Sequence, residues 1–371
     1  MQSNSLYKIF RELTAVYSPT FGERDFCGLL KNKLSELGVV CEEDHAGSQI
    51  GGNCGNLYGF LSGELTGEPL LFSAHMDTVE PAAGKESILR EDGRITSGGA
   101  TILGADDVSG IAIILEALTR LREAGTPHRA IELLFPVAEE RYGAGSAVAD
   151  YSKFHAKAAY VLDLGGEIGM AANAAPTILS FTAIVKGKAA HAGFAPKDGV
   201  HAISAAAKAI AKIPLGEPEP GVTCNIGVIS GGEAGNIVPE TCTVTGEIRS
   251  LSHDAVLERW EKVRSIFEEE AKKAGASVSF AHRCEITAYE TPVDSAVVRR
   301  FKRACETAGV PCHICSTLGG SDNNNFALHG IEGIVIACSM HDVHSTREYA
   351  NLHEMEQCVR LVMNLMTEET P

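Results

Sequence analysis

Histidine and carboxylate side chains follow several apolar runs in this chain. In "LLFSAHMDTVEP" (residues 70–81), an apolar run is followed by His75 and Asp77. Side chains alternate across a strand, so these two residues would lie on the same face. The same arrangement recurs at three other places, where acidic side chains stand beside an apolar segment: Asp106, Asp107, Glu139, Glu140 and Asp163. Groups of these types transfer protons or bind metal ions.

Each of these groups also has an ordinary structural explanation. Asp106 and Asp107 could cap a helix, since carboxylates there complement the helix dipole. Glu139 and Glu140 could lie at a solvated corner, and His75 could be a hydrogen-bonded core residue. If the strands are parallel, however, all of these groups gather at one edge of one sheet, where carboxylates repel one another and lose solvation. A cation resolves this problem, because acidic clusters without a counter-charge are costly.

The donor types indicate which cation would bind. Histidine together with Asp and Glu, without a thiolate, suits zinc and also tolerates manganese or cobalt. Two cations that share a carboxylate can hold a water molecule and a carbonyl group between them. The predicted cofactor is therefore a pair of divalent metal ions, with Zn²⁺ as the first choice and Mn²⁺ or Co²⁺ as alternatives.

Alternating strands and helices would position these groups. The segments "NLYGFLSG", "PLLFSAHMD", "AIELLFPVAEE", "AAYVLDLGG" and "GIEGIVIACSM" have the pattern of strands, and "DDVSGIAIILEALTRLREAG" has that of a helix with a glycine stop. This alternation predicts an α/β fold with a mixed, largely parallel sheet flanked by helices. Ligands gather at the carboxyl ends of the strands in such sheets.

A second domain interrupts this pattern. From about residue 176 the order of predicted elements is β-α-β-β-α-β, the split pattern of a ferredoxin-like α+β module, with "PLGEPEPG" read as a loop. The length of 371 residues also favours two domains. We therefore expect a catalytic domain in two parts, residues 1–174 and 289–371, with a lid inserted at 175–288.

Composition excludes several classes of protein. A formal net charge of −16 and a sequence pI near 5.3 argue against nucleic-acid and basic membrane-surface binding. The beginning of the chain lacks a signal layout, and its apolar stretches are too short to span a bilayer. Eleven scattered cysteines indicate buried thiols in a reducing compartment, so we expect a cytoplasmic protein. The CxxC pair Cys312 and Cys315 has no partner motif and is read as structural.

Six motifs carry a resemblance to a known family. "SAHMDTVEP", "LGADDVSGIA", "AEERYGAGS", "VLDLGG", "GKAAHAG" and "HSTREY" resemble, in order and spacing, those of the peptidase T-like branch of the dizinc aminopeptidase and aminoacylase family. The match extends over nearly the whole chain, and the set is far more specific than any single motif. The resemblance implies a zinc-peptidase-like α/β domain with an inserted lid through which two subunits form a homodimer.

The resemblance also assigns metal ligands. It implies that His75, Asp106 and Asp163 bind one metal ion and that Asp106, Glu140 and His344 bind the other, so that Asp106 bridges them. His344 is chosen because the family's last ligand stands four residues before a glutamate, here Glu348. His341 is the competing choice. Family members often have a cis peptide bond after the bridging aspartate, here Asp106–Asp107.

Further roles follow for residues beside the ligands. Asp77 would orient His75 and raise its basicity as a ligand. Glu139 is the candidate general base, which would take a proton from a metal-bridged water as that water attacks the scissile carbonyl. Glu139 would then pass the proton to the leaving amine.

Three lid residues are candidate substrate contacts. The resemblance implies that His191 reaches the active site of the partner subunit and helps to hold the oxyanion. Asn236 and Arg249 resemble substrate-binding positions, although Asn236 could satisfy a turn and Arg249 could form a surface ion pair. The segment "GGSDNNNF" (319–326) resembles a substrate loop, and a tight turn with Asx hydrogen bonds explains it almost as well.

The expected reaction is hydrolysis of the N-terminal bond of a short peptide, such as a tripeptide. In the family, an aspartate at the position of Asp163 accompanies aminopeptidases, whereas a glutamate accompanies carboxypeptidases and deacylases. The alternative within hydrolases is an N-acyl amino acid deacylase. The alternative outside enzymes is an inactive relative that binds a metabolite or metal. A nucleotide-binding protein is excluded because no phosphate loop follows a strand.

Overall fold

The computed structural model describes residues 2–368, with side chains from Ser5 onward. The chain divides into two compact units. The larger unit extends to Ala174 and resumes at Glu290, and the smaller unit is Ala175–Tyr289. Within the described residues, no helix combines the length and the apolarity needed to cross a lipid bilayer.

The first part of the larger unit alternates helices and strands. Its elements are α1 (Gln2–Thr14), α2 (Arg24–Glu36), β1 (Val40–Glu43), α3 (Ala46–Ile50), β2 (Leu57–Leu61), β3 (Leu70–Ser73), β4 (Ile88–Leu89), β5 (Arg94–Thr96), α4 (Ala105–Ala124), β6 (Ile131–Phe135), β7 (Ala158–Leu164) and β8 (Met170–Ala175). Three single turns of 3₁₀-helix, Glu139–Arg141, Ser146–Val148 and Tyr151–Lys153, lie between β6 and β7.

The smaller unit contains the predicted β-α-β-β-α-β order. Its elements are β9 (Thr177–Lys186), a 3₁₀ turn (Pro196–Asp198), α5 (Ala202–Ile210), β10 (Gly216–Glu219), β11 (Val222–Gly231), β12 (Thr241–Ser250), α6 (His253–Ala274) and β13 (Ser277–Ile286). They form an antiparallel sheet in the order β10-β11-β12-β9-β13. The prediction that 214–221 is a loop was wrong at β10, because Gly216 and Glu219 pair with β11 as a short hairpin arm.

The second part of the larger unit completes its sheet. Its elements are β14 (Tyr289–Glu290), α7 (Ala296–Ala308), β15 (His313–Ser316), α8 (Asn323–Leu328), β16 (Glu332–Ala337), β17 (Tyr349–Asn351) and α9 (Leu352–Thr367). The nine-stranded sheet has the order β1-β2-β6-β3-β7-β16-β8-β14, with β15 beside β8. A small antiparallel sheet of β17, β5 and β4, which the sequence did not predict, lies in the same unit.

The centre of the large sheet is parallel. Strands β6, β3, β7 and β16 are neighbours and run in the same direction. Antiparallel β1 and β2 extend the sheet on one side, and β8 pairs antiparallel with β16 on the other. The predicted mixed, largely parallel α/β fold is therefore confirmed. The loops that follow the four parallel strands meet at one edge of the sheet.

Each unit has its own apolar core. In the larger unit all residues of β3 and β6 are buried, as expected of parallel strands covered on both faces. The ring of Phe72 stacks on that of Tyr160, with centroids 5.5 Å apart. In the smaller unit the buried ring of Trp260 contacts Phe181 and Phe280, with centroids 5.1 and 5.6 Å away. Burying a large apolar side chain contributes roughly 1.5–3 kcal/mol, so both cores are substantial.

Candidate metal centre

The five predicted metal ligands come from five separate segments of the larger unit. His75 follows β3, Asp106 lies in the first turn of α4, and Glu140 lies in the 3₁₀ turn after β6. Asp163 is in β7, and His344 lies between β16 and β17. All of them stand at or near the carboxyl-terminal edge of the parallel strands. Local structure alone therefore does not assemble the site, which depends on the order of strands in the sheet.

The ligand atoms form two groups that share Asp106. One group is His75, Asp106 and Asp163, and the other is Asp106, Glu140 and His344, with the atoms of each group within 4.8 Å of one another. The two carboxylate oxygens of Asp106 face different histidines. Its Oδ1 lies 3.0 Å from Nε2 of His75, and its Oδ2 lies 3.1 Å from Nε2 of His344. A carboxylate placed in this way could bridge two cations.

The charges in the site indicate that a cation belongs there. Burial and the charge of Asp106 raise the pKa of Asp163. Burial and the charge of Asp163 raise the pKa of Glu139 in the same way. Burial acts in that direction on Asp106 as well, yet its pKa is lowered by hydrogen bonds with His344 and His75. Raised pKa values show that the surroundings of these buried carboxylates do not fully stabilise their negative charge, and a metal ion would supply the missing positive charge.

The donor set fits divalent cations of the zinc type. Imidazole nitrogens and carboxylate oxygens are present in both groups, and neither group contains a thiolate. Hydrogen bonds that His344 donates to the carboxylates of Asp106 and Glu140 raise its pKa to about 11. A bound cation would replace that proton, since a histidine ligand must be neutral.

The two candidate histidines after β16 have different surroundings. Nε2 of His344 lies 3.0 Å from Oε1 of Glu140 and belongs to the second group. His344 has a φ of 59°, a left-handed conformation that is uncommon for a residue with a Cβ atom. His341 instead lies with Nε2 2.6 Å from Oε2 of Glu354, and its ring stacks on Tyr349 at 4.6 Å. The structure therefore brings His344, and not His341, to the carboxylates.

Asp77 contacts His75 mainly through its main chain. Nδ1 of His75 lies 2.9 Å from the carbonyl oxygen of Asp77 and 3.3 Å from its Oδ1. Either contact places the Nδ1 proton toward Asp77 and leaves Nε2 directed at Asp106. The carboxylate of Asp77 also accepts the main-chain N–H groups of Glu139 and Glu140, at 2.9 and 3.3 Å.

Glu139 lies beside the ligands without belonging to either group. Its side chain is buried, and its Oε2 is 3.9 Å from Nε2 of His75. Burial raises the pKa of Glu139, which makes its carboxylate a stronger base than an exposed glutamate. This position is compatible with the predicted general base.

The sequence did not predict the contacts of Glu348, which was used only as a marker of spacing. Its buried carboxylate accepts the N–H groups of Leu103, Gly104 and Asp106 at 2.8, 2.7 and 3.0 Å. Burial raises its pKa to about 7. Glu348 therefore fixes the main chain that carries the shared aspartate. The only indication in the sequence that Glu348 belongs to the site was its position four residues after His344.

In the segment 319–326, Gly319 and Gly320 are exposed, whereas residues 321–326 are buried and contact the segment that follows Glu140. Asp322, Asn323, Asn324 and Asn325 are buried. Ser146 donates a hydrogen bond to Oδ1 of Asp322. Nδ2 of Asn325 donates to the carbonyl oxygen of Gly143 at 3.1 Å and to Oγ of Ser146 at 2.8 Å. These contacts support the segment that follows Glu140.

The three candidate substrate contacts lie in the smaller unit. His191 is exposed, and its Nδ1 accepts the N–H groups of Gly193 and Phe194, both at 3.1 Å. Asn236 is also exposed, and its carbonyl oxygen accepts the N–H of Ala192, so the unit brings His191 and Asn236 together. Nε of Arg249 donates to Glu247 at 2.8 Å, the ion pair considered as an alternative for this residue.

The fold and the two ligand groups are typical of metallopeptidases that use two metal ions. Residues 173–275 match the family described as "Peptidase dimerisation domain", and residues 56–205 match "Peptidase family M28". YqjE of Bacillus subtilis, whose function is uncharacterised, is 34% identical over 98% of both chains.

Two solved structures are similar along the whole chain. An aminopeptidase PepT from Bacillus cereus has a TM-score of 0.92 and 36% identity over 98% of both chains. A tripeptidase from Staphylococcus aureus has a TM-score of 0.95 and 30% identity over 98% of both chains. The chain therefore belongs to the peptidase T-like branch of the M20 metallopeptidase family, which confirms the resemblance found in its motifs.

Proposed function

We propose that this protein is a metal-dependent aminopeptidase that releases the N-terminal residue from short peptides such as tripeptides. The observation that carries the proposal is Asp106, whose two oxygens face two separate ligand groups beside the buried carboxylate of Glu139. The similarity to an aminopeptidase and to a tripeptidase over nearly the whole chain supports the same activity.

The proposed cofactor is a pair of divalent metal ions, Zn²⁺ first and Mn²⁺ or Co²⁺ as alternatives. His75, Asp106 and Asp163 would hold one ion, and Asp106, Glu140 and His344 the other. The two ions together would polarise the scissile carbonyl and lower the pKa of the attacking water. Their ligands are buried or half-buried apart from His344, whose side chain is 51% exposed, so the second position is the more accessible one.

Glu139 is the proposed general base. Its carboxylate would accept a proton from the attacking water and then deliver that proton to the nitrogen of the leaving amine. Its raised pKa suits both halves of this transfer. Asp77 would keep Nε2 of His75 directed at the first metal position. Glu348 would hold Asp106 between the two positions through the main chain.

We also propose that two copies pair through the smaller unit. Its match to a peptidase dimerisation domain supports this assembly. β10 pairs with β11 only as far as Cys224, and further along β11 the residues Val228 and Ile229 are 58% and 50% exposed. Exposed apolar residues on a partly uncovered strand favour association with another chain. His191 and Asn236, and with less support Arg249, are proposed substrate contacts in that assembly.

The proposed location is a reducing compartment such as the cytoplasm. All eleven cysteines are free thiols in the structure, and seven of them are buried. Free thiols at this number are typical of proteins kept under reducing conditions.

The proposal is tested by an activity screen with metal-reconstituted protein. The substrates are dipeptides, tripeptides and N-acyl amino acids, with chelated protein as the control. We expect metal-dependent release of the N-terminal residue and little deacylation. Deacylation without peptide cleavage would make the protein an N-acyl amino acid deacylase, and activity toward none of the substrates would favour an inactive relative.

Replacement of Glu139 tests the mechanism separately. Glu139→Gln should retain both metal ions, measured by elemental analysis, because Glu139 belongs to neither ligand group. Its turnover should fall by about 10²–10⁴-fold, the usual contribution of a positioned general base. Turnover close to that of the unmodified protein, with metal bound, would remove Glu139 from this role.

A further inference from the structure

Three buried side chains hold the turn that carries Glu139. They come from separate parts of the larger unit, and each accepts main-chain N–H groups of that turn. The four consecutive contacts are Val137 to Oδ1 of Asn56 at 3.1 Å, Ala138 to Oε1 of Glu23 at 2.9 Å, Glu139 to Oδ1 of Asp77 at 2.9 Å, and Glu140 to Oδ2 of Asp77 at 3.3 Å. Asn56, Glu23 and Asp77 all have a relative exposure of 0%.

The turn needs these acceptors because the sheet no longer supplies them. β6 ends at Phe135, and the following Pro136 has no N–H group. Buried N–H groups that leave a strand must find other partners. Ala138 also has a φ of 51°, a left-handed conformation that costs an alanine about 1–2 kcal/mol. Surrounding contacts must therefore hold the chain in this conformation.

Glu23 reaches the turn from a segment near the start of the chain, residues 18–23. Ser18 donates to the carbonyl oxygen of Met76 at 2.6 Å, and Thr20 donates to Oδ2 of Asp77 at 2.9 Å. Oε1 of Glu23 accepts the N–H of Phe21 as well as that of Ala138, both at 2.9 Å. The segment thus connects the loop after β3 with the turn after β6.

We propose that Glu23 is a positioning residue for the reaction: its carboxylate fixes the main chain at Ala138 and thereby the placement of Glu139. The inference rests on the proposed role of Glu139 as general base. Glu23 belongs to neither ligand group, so it would affect the reaction only by holding the turn that carries Glu139. Asp77 holds the turn one residue further along, so the two carboxylates together accept three consecutive main-chain N–H groups.

The expected loss of kcat depends on whether an acceptor oxygen at position 23 reaches the N–H of Ala138, and not on the charge of the side chain. Glu23→Ala removes the acceptor, and Glu23→Asp keeps the charge but withdraws the carboxylate by one methylene. Both should lower kcat by about 10- to 100-fold with little change in KM, because small misplacements of a catalytic group have costs of this size. Glu23→Gln retains an oxygen acceptor and should restore most of kcat. Bound metal, measured by elemental analysis, should remain unchanged in all three.

A buried glutamate elsewhere in the larger unit provides a matched control. Glu132 in β6 is 3% exposed and also accepts main-chain N–H groups, those of His155 at 3.0 Å and Ala156 at 2.9 Å. Glu132→Ala should lower the free energy of unfolding without changing kcat of the folded protein. An equal loss of kcat in Glu132→Ala and Glu23→Ala would show that any destabilisation lowers activity and would overturn the inference.

A double-mutant cycle with Glu139→Gln tests the coupling directly. Where the base is absent, its position no longer matters, so adding Glu23→Ala should cause little further loss of kcat. The same fold loss in both backgrounds would overturn the inference. If Glu23→Ala does not fold, Glu23→Asp takes its place in the cycle. Near-normal activity of Glu139→Gln itself would instead refute the proposed general base, which distinguishes failure of the function from failure of this inference.

Discussion

Several carboxylates in this site each contact more than one neighbouring group. Asp106 faces both ligand groups, and Asp77 contacts His75 as well as the turn that carries Glu139. Glu348 has no place among the ligands, yet its carboxylate accepts three main-chain N–H groups at the start of α4. The geometry of the two ligand groups therefore depends on carboxylates that belong to neither group.

The choice between the two histidines after β16 is open to direct test. His344→Ala removes a donor of the second group and should reduce bound metal from about two ions to one, with loss of peptidase activity. His341→Ala is the matched control, because His341 pairs with Glu354 and not with the site. It should keep both ions. Elemental analysis of the two purified variants measures the difference, and the opposite pattern would assign His341 as the ligand.

The side chains that meet in the two candidate ligand groups were predictable from the sequence, whereas their supporting contacts were not. His75, Asp106 and Asp163 each stand beside an apolar run, and their order along the chain matches a known set of motifs. No spacing rule, by contrast, indicates which distant N–H group a buried carboxylate accepts. The contacts of Glu23 and Glu348 join residues more than a hundred positions apart, and only the fold reveals them.

Secondary-structure elements were predictable where they are long or fully buried. The four central strands are mostly apolar, which identifies them without any alternation. Strands β4, β5, β10 and β17 have two to four residues, too few to show a period, and the sequence did not reveal them. α4 was predicted as a helix, and its first turn departs from helical geometry at Asp106 and Asp107.

α4 packs closely against β7 at Gly110, so replacing this glycine should destabilise the protein. A methyl group on Gly110 would lie 2.5 Å from Oδ1 of Asp107 and from the carbonyl oxygen of Leu162. Gly110→Ala should therefore lower the free energy of unfolding by about 1–3 kcal/mol, despite the higher helix propensity of alanine. Gly28 in α2 is exposed and has open space around it, so Gly28→Ala should raise the free energy of unfolding by about 0.5–1 kcal/mol.

Urea denaturation measures the free energy of unfolding of both variants. A Gly110→Ala variant more stable than the unmodified protein would show that α4 does not pack closely against β7 at this position.

At the scale of the whole molecule, the two units have separate cores. The apolar cluster of the smaller unit contains only residues between Leu179 and Phe280, and the candidate ligands all belong to the larger unit. Metal binding should accordingly stabilise the larger unit alone.

Calorimetry with and without a chelator tests this separation. A ligand present at 100 times its Kd stabilises the folded state by about 2.7 kcal/mol, so chelation should lower the unfolding temperature of the larger unit by several degrees. The transition of the smaller unit should stay in place. His344→Ala is the control, since its response to the chelator should be smaller. Equal shifts of both transitions, or one merged transition, would contradict independent unfolding of the units.

The position of β16 in the sheet affects how the protein becomes active during synthesis. β16 lies between β7 and β8, although the whole smaller unit is translated before it. At typical elongation rates, translation of the residues between β8 and β16 takes roughly 10–30 s. During this time β7 and β8 have been synthesised but the strand that pairs with both of them has not. His344 emerges later still, so the second metal position cannot form early. The second ligand group is therefore completed only when His344 has been translated, so metal-dependent activity is expected only after synthesis of the chain is nearly finished.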